Sequence, residues 1–486
     1  MQKRQGMFRK HHKWFGLIAC FLFLLLAVSG IVLNHRSIYG KINISRSVLP
    51  ESYKFNRWNN GLLRGSLAVG DSAILVFGAG GIFRTTDSGK TFHDYNKGLP
   101  TEAESRAVRN IVKLDDSTLV AVTRHSAYIL ADDEWKPLNI GEETILSDIT
   151  AKGDTLIAIG RDKIYLAVKP YDKFCKIELA EPEQYDTRVS LFRTIWAMHN
   201  GEIAGLLGKV IVDLIAALTI FFCITGIAVL LAPKIIRRIA GTMRIKCARC
   251  MAWNIRWHER LGRYTIIILL FITVTGFALR PPLLVGLVKI NTCPIPGSTL
   301  SSENPWKDKL RALRRDDVAN DWILSTSDGF YRLANLHSQP VKEKSAPPVS
   351  VMGINVFQKK GDEWLIGSFS GIYLWNRAQQ TTTDYITGKP APTVSGSPFG
   401  KVAVAGYSND FNKKVICTYY EGTEAIEQPK WMQTLPMSVW QLALEIHTGR
   451  ILTFLGQGRM LYIFVAGLII LWTLWSGWKI RKRNIK

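Results

Sequence analysis

Four long apolar runs interrupt an otherwise mixed chain: Trp14 to Leu33, Ile203 to Ala232, Tyr264 to Leu279 and Met460 to Trp478. Crossing about 30 Å of hydrocarbon takes roughly 20 helical residues, so each run predicts a transmembrane helix. The first is longer than the apolar stretch of a signal peptide and no small-x-small cleavage site follows it. It is read as a retained anchor.

Between these runs the pattern changes. Residues 36–198 and 281–446 hold short apolar strands bounded by Gly, Asp and Asn, which predicts β-hairpins. They read AILVFGAGGIFRTT after Asp71, TLVAVTRHSAYIL after Ser117, TLIAIGRDKIYLAV after Asp154, WILSTSDGFYRL after Asp321, EWLIGSFSGIYLW after Asp362 and VICTYYEGTEAI after Lys414. A spacing of about 40 residues is that of propeller blades. Three hairpins per segment therefore predict one propeller of about six blades built from both segments, with two separate β domains as the alternative. Thr85-Thr86-Asp87-Ser88-Gly89-Lys90-Thr91-Phe92 resembles the Asp-box turn of sialidase-type propellers, where the box is structural. A glycosidase would also need two carboxylates flanking a sugar site, and no such pair stands out.

Charge sets the orientation. The 486 residues carry a formal net charge of +23 with 47% hydrophobic residues. Nucleic-acid binding would require Lys and Arg on a folded basic face, whereas here the densest clusters flank the apolar runs. They are Lys3, Arg4, Arg9, Lys10 and Lys13; then Lys234, Arg237, Arg238, Arg244, Lys246, Arg249 and Arg256; then Lys479, Arg481, Lys482, Arg483 and Lys486. Short basic segments stay cytoplasmic, so both termini are expected inside and both long segments outside, in the periplasm of a bacterial inner (plasma) membrane. The expected division is 1–35 for the cytoplasmic tail and first helix, 36–198 for the first β segment and 199–232 for the second helix. A basic loop follows at 233–257, the third helix at 258–280, the second β segment at 281–446, and the fourth helix with its tail at 447–486. The expected fold class is membrane α plus β: a four-helix bundle of two repeats carrying a periplasmic all-β domain.

The halves repeat one another. HKWFGLIACFLFLLLAVSGIVL from His12 aligns without a gap on HERLGRYTIIILLFITVTGFAL from His258, matching Gly16 to Gly262 and Ser29-Gly30 to Thr275-Gly276. HNGEIAGLLGK from His199 aligns on HTGRILTFLGQ from His447, after which Thr225-Gly226 and Ser476-Gly477 fall out of register. Small residues let membrane helices approach closely, and the glycines are read that way.

Five of nine histidines, His12, His35, His199, His258 and His447, lie at edges of the predicted helices. Anchoring at the headgroups explains a single one. Two repeat-related pairs, His12 with His258 near the inner face and His199 with His447 near the outer, suggest more. Facing histidines in a bundle are a usual way of holding haem by both axial positions, and without a Cys-x-x-Cys-His site the haem would be b type. Two such haems near opposite faces would move electrons across the bilayer. His35 competes for the outer site, although its repeat partner position is Pro281, and His11 adjoins His12.

These helix motifs, H-x-W/R-x-G-L with a terminal Ser/Thr-Gly and H-x-G-x-I, resemble the PepSY-associated transmembrane family. The resemblance implies a di-haem protein similar to the inner-membrane ferric-siderophore reductases, which pass electrons to periplasmic ferric chelates. The external segments depart from it, with propeller-like repeats and no PepSY-like domain.

Asp213 is an ionisable group within the second helix, with Lys209 one turn earlier as its expected partner. Lys209, Arg263 and Arg459 are candidates for haem propionates. Cys247-Ala248-Arg249-Cys250 is an incomplete zinc site or a redox pair, and without a thioredoxin-like context it reads foremost as chance spacing; Cys175, Cys293 and Cys417 fall outside, where a disulfide is open but its pairing unreadable, and Cys20 and Cys223 within the membrane. Gly78-Ala79-Gly80-Gly81 fails the dinucleotide spacing, so electrons would come from a quinol or a cytoplasmic reductase. The expected function is therefore a haem-dependent reductase of a ferric siderophore or similar iron chelate, in contact with membrane lipid and not with nucleic acid. The alternatives are an anchored propeller that binds or senses for an uptake system, and, on a thinner case, a small-solute transporter.

Overall fold

The computed structural model describes residues 2–141, 144–183, 185–350, 352–392 and 402–480. Of the expected basic tail, Lys479 ends a helix and Arg481, Lys482, Arg483 and Lys486 lie outside the described residues. The chain forms two compact units: one of Met1–Tyr39, Thr187–Ser302 and Val439–Lys486, the other of Gly40–Asp186 and Glu303–Ser438.

The first unit is helical. Its main helices are α1 (Gln2–Asn34), α2 (Leu191–His199), α3 (Gly205–Ile236), α4 (Gly241–Tyr264), α5 (Ile266–Ala278), α6 (Val439–His447) and α7 (Arg459–Lys479). Among the described residues, three stretches are individually long and apolar enough to cross a membrane, Gly6–Asn34, Glu202–Ile236 and Leu461–Lys479. The third apolar run departs from the expected straight span. Alone, α5 is about 20 Å long at 1.5 Å per residue, short of the hydrocarbon core. It meets α4 at a bend of 65°, and only the two together suffice. The break falls at Thr265, where φ −101° and ψ 3° leave the helix. The expected loop 233–257 is helical from Gly241 onward, because its Arg, Lys, Met and Ala are good helix formers whatever their charge.

The expected openings of helices two and four also differ. His199 and His447 instead end the nine-residue helices α2 and α6. Each is followed by a left-handed glycine, Gly201 at φ 79° and Gly449 at φ 72°, and a 3₁₀ turn before the long helix starts. At Gly201 an added Cβ would lie 2.3 Å from the Gly208 carbonyl oxygen, so this reversal requires glycine. Within the unit α1 packs on α3, α6 and α7, while α5 packs on α2 and α7.

The second unit is β-rich. Among the described residues, six antiparallel sheets cover 65–94, 110–138, 146–177, 310–342, 354–384 and 404–418, five of four strands and the sixth of two, and a further two-stranded sheet pairs Asn43–Ile44 with Met437–Ser438. Their leading strands are β1 (Gly65–Val69), β2 (Asn110–Lys113), β3 (Leu146–Lys152), β4 (Leu310–Asp316), β5 (Ile354–Lys360) and β6 (Val404–Ser408). Each leading strand packs on that of the next sheet, and β6 packs on β1. The second strands Ala73–Gly78 and Leu119–Val122 are buried along their whole length, which is why they read as unbroken apolar runs. The strands β3, β4, β5 and β6 all carry a one-residue register shift near their start.

The two chain segments share one core. Trp306 is fully buried with Ile157, Ile159 and Leu324, and its Nε1–H donates to the Ala180 carbonyl at 2.9 Å. The Asn60 amide donates to the Tyr419 carbonyl at 2.7 Å. In the Asp-box turn, Asp87 accepts from Thr85 Oγ1, the Lys90 and Thr91 amides and Thr91 Oγ1, while Phe92 packs edge-on to Trp58 at 4.8 Å. The box fixes a hairpin turn, as its sequence implies, and Phe92 beside it is buried.

Candidate functional site

The helical unit brings four histidines together in two pairs. His12 of α1 and His258 near the end of α4 have ring centres 6.3 Å apart. His199 of α2 and His447 of α6 have ring centres 6.2 Å apart. Both are the pairs related by the internal repeat.

In each ring Nδ1 has a protein partner. His12 faces the Thr473 carbonyl at 3.1 Å, and His199 faces the Ile272 carbonyl and Thr275 Oγ1, both at 3.1 Å. A carbonyl only accepts, so these two nitrogens must carry the proton. His258 faces Thr225 Oγ1 at 2.7 Å and His447 faces Ser29 Oγ at 2.9 Å. Those hydroxyls are already directed at backbone carbonyls of their own helix, Thr225 at Phe221 and Ser29 at Leu25. A hydroxyl has one hydrogen, so each must accept from the imidazole. All four rings therefore carry the proton on Nδ1 and a lone pair on Nε2, the form in which neutral imidazole ligates a metal. Among the described residues no protein group hydrogen-bonds any of these four Nε2 atoms.

The Ser/Thr-Gly dipeptides do this holding, which sequence reasoning assigned to helix packing. An added Cβ at Gly276 would come within 2.7 Å of His199 Cε1, and at Gly477 within 2.8 Å of His12 Cε1. At Gly30 and Gly226 it would lie 3.6 Å from His447 and His258. Every ring thus lies against a glycine, and in three of the four the hydroxyl beside that glycine meets Nδ1. At the fourth, Ser476 turns to the Thr473 carbonyl that His12 uses. The signal lay in the fourfold recurrence of the dipeptide.

His35 stands apart from both pairs. Its Nε2 lies 3.6 Å from Asp213 Oδ2, and Asn34 Nδ2 donates to Asp213 Oδ1 at 2.9 Å. Asp213 is thereby met by Asn34 and His35 rather than the expected Lys209. His11 packs its ring on Trp472 at 5.7 Å. Arg263 reaches the Ile480 carbonyl. The cysteines are free thiols: Cys20 and Cys223 are neighbours on α1 and α3, and Cys247 and Cys250 lie one turn apart on α4.

The family model of the PepSY-associated TM region matches residues 9–481. The chain belongs to the PepSY-associated TM family. The match runs through both β segments, so this PepSY-associated TM protein carries its six-sheet unit inside the family's span. Among curated proteins none matches it. Two structures of the extracellular domain of BT4673 from B. thetaiotaomicron resemble it at 10% identity. One, described as a hybrid two component system, has a TM-score of 0.37 and covers 75% of this chain and 31% of that one. The other, described as a one component system, has a TM-score of 0.34 with 76% and 38% covered. PorZ, a surface component of the type-IX secretion system of Porphyromonas gingivalis, is 10% identical at a TM-score of 0.31, with 76% and 38% covered. This PepSY-associated TM protein spans only 31% to 38% of the length of those chains, and likenesses so distant carry no argument.

Proposed function

We propose that the protein is a transmembrane electron carrier holding two b-type haems, one between His12 and His258 and one between His199 and His447, and that it reduces a periplasmic iron chelate such as a ferric siderophore. The observation that carries this is the spacing of the rings together with their shared tautomer. An imidazole nitrogen bonds a metal at about 2.0 Å, and in a ring with bonds of about 1.35 Å it sits about 1.15 Å from the centre. Two imidazoles on opposite sides of one metal thus have centres about 6.3 Å apart, beside the 6.3 and 6.2 Å found here. Two ligands suit a metal that brings four of its own, as haem iron does. Among the described residues no group of three or more His, Cys, Asp or Glu gathers for a bare ion.

Haem in these sites would supply one-electron redox chemistry. The chain itself orients the ligands: Ser29, Thr225, Thr275 and the Thr473 carbonyl hold the tautomer and the ring direction. His12 and Ser29 lie on the same helix, about 26 Å apart at 1.5 Å per residue, which supports one site near each face. The basic clusters support an inner-membrane orientation with cytoplasmic termini, and a quinol or cytoplasmic reductase as donor.

The β-rich unit we read as a six-bladed propeller. Support comes from the leading strands, which pack one on the next from β1 to β6 and back to β1. Because residues of both segments share one core, both lie on the same side of the membrane. The chain between them must then cross an even number of times, which supports counting α4 and α5 as one crossing and the helical unit as a four-span bundle.

The test is a reduced-minus-oxidised spectrum of the purified chain in detergent. It is expected to show bis-histidine b haem, two per chain. Replacing His12 or His258 by Ala removes the inner half, and replacing His199 or His447 removes the outer half. A colourless parent sinks the proposal and leaves an anchored binding module.

A further inference from the structure

Arg280 follows α5 by one turn from Gly276, the residue on which His199 lies. The helix itself ends at Ala278, and the Leu279 amide closes that end on the Gly276 carbonyl at 3.3 Å, so Arg280 comes directly after the turn that carries Gly276. Gly276 lies against His199, so the end of this turn brings Arg280 to the outer histidine pair. Arg450, Glu445 and His447 are its electrostatic neighbours.

These charges do not balance. Glu445 is buried and already engaged: Arg450 Nη2 donates to its Oε1 at 2.7 Å and Gln441 Nε2 at 2.9 Å. Arg450 is held a second time, by Thr448 Oγ1 at 3.1 Å. Arg280 is half-buried, and among the described residues no hydrogen bond or ion pair engages its guanidinium. A cation removed from bulk water at the end of a membrane helix, beside a second cation, carries a desolvation and repulsion penalty unless an anion meets it. The repeat sharpens the contrast. The position matching Arg280 in the first half is Asn34, which is satisfied by Asp213 at 2.9 Å.

We propose that Arg280 binds a carboxylate at the outer histidine pair, either that of a haem propionate or that of an anionic iron chelate. Guanidinium matches a carboxylate with two parallel hydrogen bonds. The assignment rests on the proposal that His199 and His447 hold a haem. A parent chain without haem overturns both, whereas a haem-loaded parent indistinguishable from its Arg280 variant overturns this one alone.

The experiment compares full-length parent, Arg280→Gln and Arg280→Lys in detergent by haem per chain, outer-site midpoint potential, and the rate at which ferric citrate reoxidises the dithionite-reduced chain. If the carboxylate is the cofactor's, Arg280→Gln loses outer haem or lowers its potential while the inner site is unchanged. If it is the chelate's, haem and potential stay put and the citrate concentration for half-maximal rate rises on the order of tenfold. In either case Arg280→Lys recovers part of the effect. Parent-like behaviour in all three measurements, or equal loss of both haems, overturns the assignment.

Discussion

At the scale of single residues, the most consequential contacts are those between imidazole and glycine. The spacing of an added Cβ separates two classes. Gly276→Ala and Gly477→Ala place carbon at 2.7 and 2.8 Å from ring atoms that are themselves pinned through Nδ1, whereas Gly30→Ala and Gly226→Ala place it at an ordinary 3.6 Å. If haem is held as proposed, the first two are expected to lose the haem of their own pair and the last two to keep both, read as haem per chain after purification. Thr225→Val removes the hydroxyl that accepts from His258 at 2.7 Å. Such supporting partners are worth about 10–100-fold in metal affinity, so faster haem loss than in Thr225→Ser is expected on dilution. On the same proposal, His35→Ala is expected to leave both haems in place, because its Nε2 faces Asp213.

The pairing itself was legible in the chain, since a gapless alignment matched His12 to His258 and His199 to His447 without any structural knowledge. The holding groups were less so. A Ser/Thr-Gly pair in an apolar run looks the same whether it admits a neighbouring backbone or an imidazole, and only the three-dimensional crossing decides. Arg280 was passed over for Lys209, Arg263 and Arg459, because nothing along the chain tells a paired cation from an unpaired one.

At the scale of elements, charge concealed structure. The basic stretch that forms α4 reads as a loop by hydropathy, although its residues favour helix, and the bend at Thr265 has no Pro to announce it. In the β-rich unit the hairpins were visible from turn residues, but the charge cluster between the fourth and fifth sheets was not. There Arg377 meets Asp316, Asp321 and Glu343, each at 2.7 Å, and Lys359 and Trp364 also donate to Asp316. Burial alone would raise the Asp316 carboxyl, yet these hydrogen bonds outweigh it and hold it well below the usual carboxylate range. A depressed folded value stabilises above the unfolded one, near 3.9, and that contribution fades as pH falls further. The midpoint of unfolding, followed by tryptophan fluorescence, should be level near neutrality and drop below about pH 4. Arg377→Gln takes the guanidinium from Asp321 and Glu343 and leaves Asp316 to Lys359 and Trp364; it is expected to cost about 3–5 kcal/mol, with the acid dependence moved to higher pH.

At the scale of the molecule, one β-rich unit is assembled from two stretches of chain separated by membrane helices. A chain ending at residue 302 would keep the first three sheets while losing the partners of β1 and β3. It would also leave Trp58 and Phe92 without Phe411, Val415 and Met432. Residues 40–186 of such a truncation are expected to be cut by protease at concentrations that spare the intact protein, and protection equal to full length would show that they fold alone.

That interrupted order also sets a schedule for synthesis. When Asp186 leaves the ribosome, the sheets that must receive its half of the unit are still unwritten, and 252 residues separate it from Ser438. At about 5–20 residues per second the wait is roughly 13–50 s, during which unpaired strand edges stand open to wrong partners. Folding of the first half is thus tied to insertion of the helices that follow it. Slow codons or a stalled translocon in the middle of the message would be felt as aggregation of its beginning, and a holding chaperone would act on the nascent chain before it is released.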